Sequence, residues 1–278
     1  MMNNTIKIAI QGGPASFHDV VAQQYFAGQS IEIVPCMTFQ RVCAAVKNRE
    51  SDYGVMAIEN ALAGSILNNY SLLQDYPVSI IGEAYLPIEQ NLLALPGQSL
   101  ADIKLVRSHP MALLQCTNFL EENPHIQALE SADTAESARE IRENNLVGVG
   151  AIASRMAAQR YELEIVEERV ENYKENYTRF MIISRKPLAD KSQANKASVI
   201  FTLHHRAGEL AKILDVFRDV AINLSLIQSI PILSRPTEFA ILLDLEWEDY
   251  STFEEAIGLV TPLIVEMKIL GIYQRGKR

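Results

Sequence analysis

The sequence of 278 residues has few cysteines, no long apolar run and no excess of basic residues. Its three cysteines, Cys36, Cys43 and Cys116, are scattered and form no Cys-x-x-Cys pair, which is typical of reduced thiols in a cytosolic protein. No apolar stretch approaches the ~20 residues that a membrane-spanning helix needs. Residues 1–5 show no basic segment followed by an apolar one, so the sequence predicts a cytoplasmic protein without a signal peptide.

The charge balance is acidic, with a formal net charge of −9. A nucleic-acid or membrane-surface binder needs a basic face, so we expect neither partner, although a single pocket can still attract an anionic small molecule. The loop Gln11–Pro14 is not Gly-x-Gly-x-x-Gly and lacks Lys-Ser/Thr, which disfavours a nucleotide site. No His, Cys and Asp residues have metal-ligand spacing, so the sequence predicts no cofactor and no metal.

Alternation of strand-like and helix-like segments up to residue 184 predicts an α/β body with mainly parallel sheets. Polar clusters fall between strand ends and helix starts, where open α/β sheets bind ligands. The densest polar stretch is 172–180, beside a predicted strand from Phe180. Two lobes, with the chain crossing between them, would bring four clusters to one cleft: Gly12–Ser16, Asn60–Ser65, Ser108–His109 and Asn176–Arg179.

Each polar cluster also has a purely structural interpretation. Ser16 is placed to cap a helix, and Asn60 and Ser65 could serve only as caps of the next one. His109, just before Pro110, is more typical of a hydrogen bond at a helix start than of a catalytic base. Arg179 could pair with acidic groups inside the core. The sequence alone leaves these alternatives open.

The polar, aperiodic segment 185–197 predicts a linker. Beyond it, residues 198–278 read as βαββαβ, which predicts a ferredoxin-like sandwich. The predicted organisation is therefore an α/β body, 1–184, followed by a linker and a small α+β module.

Four stretches occur in the order found in prephenate dehydratases. Asn176–Phe180 resembles the family's Asn-x-Thr-Arg-Phe motif, and Gln11–Phe17 resembles its N-terminal Gly-rich loop. Tyr53–Ser65 resembles its Pro-Ile-Glu-Asn-Ser…Gly-Ser segment, and Ser108–Cys116 its Ser-His-Pro-x-Ala-x-x-Gln-Cys run. The C-terminal module resembles the family's ACT regulatory domain. The resemblance covers nearly the whole chain and implies a two-lobed, periplasmic-binding-protein-like catalytic domain at 1–184 and an ACT domain at 198–278.

The resemblance implies a lyase of phenylalanine biosynthesis, which removes water and CO₂ from prephenate to give phenylpyruvate. Thr178 corresponds to the proposed hydrogen-bond donor to the leaving hydroxyl, and Arg179 is available to bind a carboxylate. Phe180 is expected in the core. The residues expected to bind substrate are Ser16, Asn60, Ser65, Ser108, His109, Asn176 and Arg179. The family's residues at Ala15, Ala61 and Asn172 differ, but Thr178 is retained.

The resemblance also implies a phenylalanine site in the ACT domain of a homodimer or homotetramer. The expected effector-binding residues are Ala207, Gly208, Glu209, Leu210, Asn223, Leu224, Gln228 and Ser229. This chain has Ala207–Leu210 in place of Pro-Gly-Ala-Leu and Gln228–Pro231 in place of Glu-Ser-Arg-Pro, which weakens the expectation of feedback inhibition.

Two other functions stay open at this point. One is an arogenate dehydratase, whose substrate differs from prephenate by one amino group. The other is a non-catalytic amino-acid sensor with a body like that of solute-binding proteins.

Overall fold

A computed structural model of the chain describes residues 5–204, 206–232 and 235–277, with no side chains described at 235–238. Expectations that rest on residues 1–4, 205, 233–234 and 278 lie outside the described residues. None of the helices formed by the described residues has the length and apolar character of a membrane span. In the same residues, no group of three or more His, Cys, Asp or Glu is placed to hold a metal ion.

The first lobe contains the start of the chain and one strand that returns from the second lobe. Its strands are β1 (Ile6–Gln11), β2 (Ile31–Cys36), β3 (Tyr53–Asn60), β4 (Gly64–Ser65), β5 (Ser79–Pro87) and the returning β11 (Tyr177–Ser184); its helices are α1 (Phe17–Tyr25), α2 (Phe39–Lys47) and α3 (Leu67–Asp75). The long strands lie in the order β5-β11-β3-β1-β2, and the short β4 pairs with β3.

The second lobe is a separate five-stranded sheet with its own helices. Its elements are β6 (Asn91–Ala94), β7 (Leu105–Ser108), α4 (Pro110–Leu114), α5 (Thr117–Glu122), β8 (Gln127–Glu130), α6 (Thr134–Glu143), β9 (Val149–Ala153), α7 (Arg155–Arg160) and β10 (Glu164–Glu167). The strand order is β10-β6-β9-β7-β8. The chain crosses between the lobes twice, and the crossing segments are hydrogen-bonded to each other, with Ile88 N–H donating to Asn176 O (2.8 Å) and Val170 N–H to Gln90 O (2.7 Å).

Both lobes have mixed sheets, so the prediction of mainly parallel sheets is wrong. In the first lobe β1 runs parallel to β2 and β3, but β11 runs antiparallel to β3 and β5. In the second lobe β7 runs parallel to β8 and β9, but β6 runs antiparallel to β9 and β10. Parallel pairing needs a crossover connection within one sheet. The chain enters β6 and β11 directly from the other lobe, which leaves them free to run in the opposite direction.

The C-terminal module has the predicted βαββαβ order. Its elements are β12 (Lys196–Thr202), α8 (Glu209–Asp219), β13 (Asn223–Ile232), β14 (Arg235–Glu246), α9 (Tyr250–Val260) and β15 (Glu266–Tyr273). Its strands lie in the order β13-β14-β12-β15, which is the ferredoxin-like arrangement. β12 begins at Lys196, two residues before the predicted start of the module.

The module continues the sheet of the first lobe, because β15 pairs with β5 through Gly271 and Ile80. A Cβ at Gly271 would lie 2.2 Å from the carbonyl oxygen of Ile80, so only glycine permits this approach. One apolar core spans the junction, where Met181 and Ile183 of β11 belong to the same buried cluster as Leu242 of the module. The module is therefore built onto the first lobe through β-strand pairing and a common core.

Candidate active site

A cavity of about 230 Å³ lies between the two lobes, bordered by Ile88 and Gln90 of the first crossing segment and by β11. Its walls come from β1, α1, β3 and β11 of the first lobe and from α4 and α6 of the second. The lining is mostly apolar and neutral polar; the polar side chains are Gln11, Ser16, His18, Asn60, Gln90, His109, Gln115, Asp133, Thr134 and Thr178. Four residues predicted to act in the cleft are therefore in its wall: Ser16, Asn60, His109 and Thr178.

Thr178 reaches the cavity from β11 and is 8% exposed. Its Oγ1 accepts a hydrogen bond of 2.9 Å from Asn60 Nδ2. Among the described residues nothing accepts the hydroxyl hydrogen of Thr178, so that hydrogen is available to a bound molecule. This geometry makes Thr178 a positioned donor at the wall of the cleft.

Asn60 is fully engaged within the protein. Besides Thr178, its Nδ2 donates to Asn176 Oδ1 (2.8 Å), and its Oδ1 accepts from the backbone N–H groups of Leu62 and Ala63 (3.0 Å each). No hydrogen of the Asn60 amide is left for a substrate, contrary to the predicted binding role. Asn60 instead orients Thr178 and holds the turn after β3.

Ser16 and His109 cap the helices that begin at the cavity. Ser16 Oγ accepts from Asp19 N–H (3.4 Å) at the start of α1, which confirms the predicted cap. His109 Nδ1 accepts from Met111 N–H (3.2 Å) at the start of α4. A neutral imidazole that accepts at Nδ1 carries its hydrogen on Nε2, which gives the cavity a further neutral donor.

Three predicted substrate-binding residues lie outside the cavity wall. Ser108 is completely buried and donates to Ile152 O (2.6 Å). Asn176 is 1% exposed and contacts Asn60 rather than the cavity. Ser65 pairs with Glu59 in the β3–β4 ladder and is not part of the wall. Ser108 and Asn176 therefore form their hydrogen bonds within the protein, and Ser65 lies in a strand pair outside the wall.

The predicted carboxylate-binding role of Arg179 is contradicted by its position. Successive side chains of a strand face opposite sides, so Thr178 and Phe180 face the cavity and Arg179 faces away from it. Arg179 Nε lies 2.7 Å from Glu83 Oε2, and its Nη1 lies 2.5 Å from Asp244 Oδ2 in an ion pair without hydrogen-bond alignment. Its Nη2 also donates to the Tyr273 hydroxyl (3.2 Å). This confirms the alternative in which Arg179 pairs inside the core.

Arg179 belongs to a buried charge cluster, which we define as Arg179, Glu83, Asp244, Lys196, Ser198 and Tyr273. Lys196 Nζ lies 3.2 Å from Glu83 Oε1, and Ser198 Oγ donates to Asp244 Oδ1 (2.5 Å). Two cations and two carboxylates share the site, so its formal charge is balanced. The cluster joins β5 and β11 of the first lobe to β12, β14 and β15 of the module.

His18 lies in the cavity wall, although it was not predicted from the sequence. Burial lowers the pKa of His18 to about 4, so its imidazole is neutral near pH 7. Its Nε2 accepts from Ala57 N–H (3.4 Å), and its ring meets Phe180 edge-on at 5.1 Å. Phe180 is a core residue, as predicted, and also forms part of the wall. No pattern in the sequence pointed to His18 beyond its place two residues after the cap Ser16.

Asp133 and Gln115 also line the cavity without having been predicted to do so. Gln115 was expected only as part of the Ser-His-Pro run, and no place in the cleft was expected for Asp133. Their place in the cavity wall depends on how the second lobe packs against the first, which the local sequence does not indicate.

The family model for prephenate dehydratase matches residues 8–188, which is more than half of the chain. This match spans both lobes and the strand β11 that carries Thr178. It ends before the C-terminal module begins at Lys196.

Two curated relatives match beyond that region. The chain is 39% identical over 235 residues to arogenate dehydratase/prephenate dehydratase 1, chloroplastic, of Arabidopsis thaliana, covering 84% of this chain and 59% of the relative. It is 32% identical over 276 residues to the bifunctional chorismate mutase/prephenate dehydratase of Aquifex aeolicus, covering 99% of this chain and 75% of the relative. Both relatives are thus longer than this chain.

Two solved structures resemble the whole fold. A prephenate dehydratase from Arthrobacter aurescens in complex with L-Phe superposes with a TM-score of 0.85 at 26% identity, covering 97% of this chain and 90% of the other. GqqA, described as a novel type of quorum quenching acylase, superposes with a TM-score of 0.86 at 29% identity, covering 97% and 98%. The chain belongs to the prephenate dehydratase family, which confirms the family predicted from its sequence.

Proposed function

We propose that the chain converts prephenate into phenylpyruvate, CO₂ and water in phenylalanine biosynthesis. The proposal rests on the hydroxyl hydrogen of Thr178, which lies at the cleft between the lobes and has no acceptor among the described residues. In this reaction the bond from the ring to its carboxylate breaks, the electron pair enters the ring, and the C4 hydroxyl leaves as the ring becomes aromatic. Charge develops on that leaving oxygen, and a positioned donor stabilises it there.

Thr178 acts as a hydrogen-bond donor in this proposal. A threonine hydroxyl is too weak an acid to transfer its proton before the C4–oxygen bond breaks, so the leaving hydroxide is completed to water by a proton that ultimately comes from solvent. Orientation in the cleft contributes the remaining acceleration, because aromatisation drives the step once the ring is held. The two carboxylates of the substrate would meet neutral donors, namely the Ser16 hydroxyl, His109 Nε2 and the amide of Gln115.

The direct test replaces the hydroxyl at 178 and keeps the shape of the side chain. Thr178→Val should reduce kcat for phenylpyruvate formation by about 10² to 10³, the usual cost of removing one donor to a developing oxyanion. Thr178→Ser, which keeps the hydroxyl, should stay within about tenfold of the wild type. Phenylpyruvate is measured by its absorbance in base, and thermal melts confirm that both variants fold. Near-wild-type turnover by Thr178→Val would reject the role of Thr178.

We propose that residues 1–184 form the catalytic domain, 185–197 the linker and 198–278 an ACT domain that binds phenylalanine. The L-Phe complex of the Arthrobacter aurescens protein supports this effector. The residues proposed to bind phenylalanine include two groups at opposite ends of α8. The eleven residues of this helix span about 16 Å. One group is Ala207, Gly208, Glu209 and Leu210 at its start, and the other is Asn223 and Leu224 after its end; Gln228 and Ser229 lie further along β13.

A homodimer or homotetramer is proposed on the basis of β13, which among the described strands pairs on one side, with β14. An edge strand with an exposed apolar side chain such as Ile227, which is 51% exposed, is suited to pairing with a second copy. The cytoplasmic location is supported by the three cysteines, which are all free and buried.

The likeness to GqqA raises acyl transfer as another activity, and the geometry of this cavity gives it no support. An acylase nucleophile needs a base within hydrogen-bonding distance. Among the described residues of the cavity wall, no hydroxyl is hydrogen-bonded to an imidazole, since His18 and His109 both accept from backbone N–H groups.

A further inference from the structure

The charge of the cavity wall is unusual for a site that binds a substrate with two carboxylates. Among the described residues of the wall there is no Lys or Arg. The carboxylate in the wall is Asp133, at the start of α6 in the second lobe. His18 is kept neutral by burial, which leaves His109 as the one other ionisable group of the described wall.

The two oxygens of Asp133 have different surroundings. Oδ1 caps α6 by accepting from Ala135 N–H (2.8 Å) and Glu136 N–H (3.0 Å). Oδ2 has no hydrogen-bond or ion-pair partner among the described residues. It lies instead against Gly12 of the first lobe, where an added Cβ would be 2.7 Å from it. The capping role therefore accounts for one oxygen, and the other extends across the cleft.

Gly12 makes room for this oxygen. Its φ of +89° lies in the region that favours glycine, and any side chain there would collide with Asp133 Oδ2. The first loop of one lobe is thus shaped around a carboxylate oxygen of the other.

Asp133 is half-buried in the wall, and a carboxylate oxygen that no protein group donates to is suited to a ligand that supplies a donor. Burial raises the pKa of Asp133 above its ordinary value, and the backbone donors and His109 offset only part of this effect. A second acceptor without a partner is Gln90 Oε1, on a side chain that is 2% exposed and also lines the cavity. Acceptors without donors, in a wall without Lys or Arg, suit a ligand that carries a cationic N–H group.

We propose that Asp133 Oδ2 binds the ammonium group of an amino-acid substrate, and that the enzyme prefers arogenate to prephenate. Arogenate carries an amine where prephenate carries a ketone, and the rest of the molecule undergoes the same loss of water and CO₂. The ammonium group supplies hydrogens to Asp133 and lowers the net negative charge that the cavity must accommodate. This inference rests on the proposed dehydratase activity and assigns its substrate class.

The test measures kcat/KM for both substrates with wild-type protein and with Asp133→Asn. Asparagine keeps the volume and the capping oxygen but removes the charge, so α6 should still form. The wild type should favour arogenate by at least about tenfold. Asp133→Asn should lower the ratio of kcat/KM for arogenate to kcat/KM for prephenate by about 30-fold or more, as removing one partner of a charge pair does.

Asp249→Asn is the matched control, because Asp249 caps α9 in the C-terminal module in the same way, through Ser251 N–H (3.0 Å). It should leave both substrates unchanged. An arogenate-to-prephenate ratio that is the same in Asp133→Asn and the wild type would overturn the inference and leave the dehydratase activity intact. A wild type that turns over neither substrate would overturn the proposed function, and the inference with it.

Discussion

Adjacent residues of β11, Thr178 and Arg179, face two regions of opposite character. The cavity side has neutral donors and a hydroxyl hydrogen that no described residue accepts. The other side is the buried charge cluster, in which Arg179 and Glu83 have side chains that are 4% and 0% exposed and are fully paired. One polar motif can therefore contribute to a cleft on one face of a strand and to the packing of domains on the other.

The two regions also differ in what their polar groups lack. In the cluster every formal charge has an opposite partner, because an unpaired charge in the core would be prohibitively costly. In the cavity, hydrogens and acceptors are left over, which is what a site that awaits a ligand requires.

The largest effect on folding is expected for Arg179→Met. Removing the guanidinium leaves the carboxylates of Glu83 and Asp244 without their main partner, and breaking such a buried pair typically costs about 3–5 kcal/mol. Urea unfolding followed by circular dichroism measures the change in the free energy of unfolding.

Arg275→Met is the control for the loss of an arginine. Arg275 is 53% exposed and pairs with Glu246 at 3.1 Å, so its removal should cost less than about 1 kcal/mol. Equal costs for the two substitutions would show that the cluster does not hold the module to the first lobe.

A somewhat smaller effect is expected from His18 in acid. Its folded-state pKa of about 4 lies below its ordinary value of 6.5, so below pH 6.5 the unfolded chain takes up a proton that the folded chain does not. The contribution of neutral His18 to the free energy of unfolding is fully present above pH 6.5 and is lost as the pH falls towards 4. The free energy of unfolding falls by up to about 1.4 kcal/mol per pH unit, or roughly 3 kcal/mol in total.

His18→Gln removes this titration while keeping an acceptor for Ala57 N–H. Unfolding free energies at several pH values between 7 and 4 should therefore fall less steeply for the variant than for the wild type. Parallel slopes would mean that His18 is protonated in the folded protein, contrary to its buried position.

The smallest effect is expected for Asn60→Asp. A carboxylate still accepts from Leu62 and Ala63 N–H, but it no longer donates to Thr178 and instead draws the Thr178 hydroxyl hydrogen to itself. We expect kcat to fall by about 10- to 100-fold, within the range for a hydrogen bond to a charged group, with a smaller change in KM. Asn48→Asp, on the exposed end of α2, is the control. A change confined to KM would show that Asn60 binds substrate directly.

Much of the element order was predictable from the sequence, because a capping residue such as Ser16 marks a helix start through local chemistry. The direction of β11 was not, since it depends on the chain returning from another lobe. The opposite facing of Thr178 and Arg179 was missed because the strand was predicted to start at Phe180, whereas it starts at Tyr177. Because both residues lie within the strand, the alternation of side chains places Thr178 and Arg179 on opposite sides of the sheet.

Asp133 shows a second limit of the sequence. Its place before a helix is fully explained by capping, so nothing local indicates a second role. The free oxygen becomes visible only when α6 is placed opposite Gly12 of the other lobe. Contacts of this kind arise from the packing of lobes that are far apart in the sequence.

The most direct test of the division across β11 measures kcat and the free energy of unfolding together for Thr178→Val and Arg179→Met. Thr178→Val should lose at least about 100-fold in kcat and stay within about 1.5 kcal/mol of wild-type stability. Arg179→Met should lose about 3 kcal/mol or more and keep kcat within about fivefold at a temperature where it is folded. An active Thr178→Val, or a stable Arg179→Met that has lost its activity, would contradict the account.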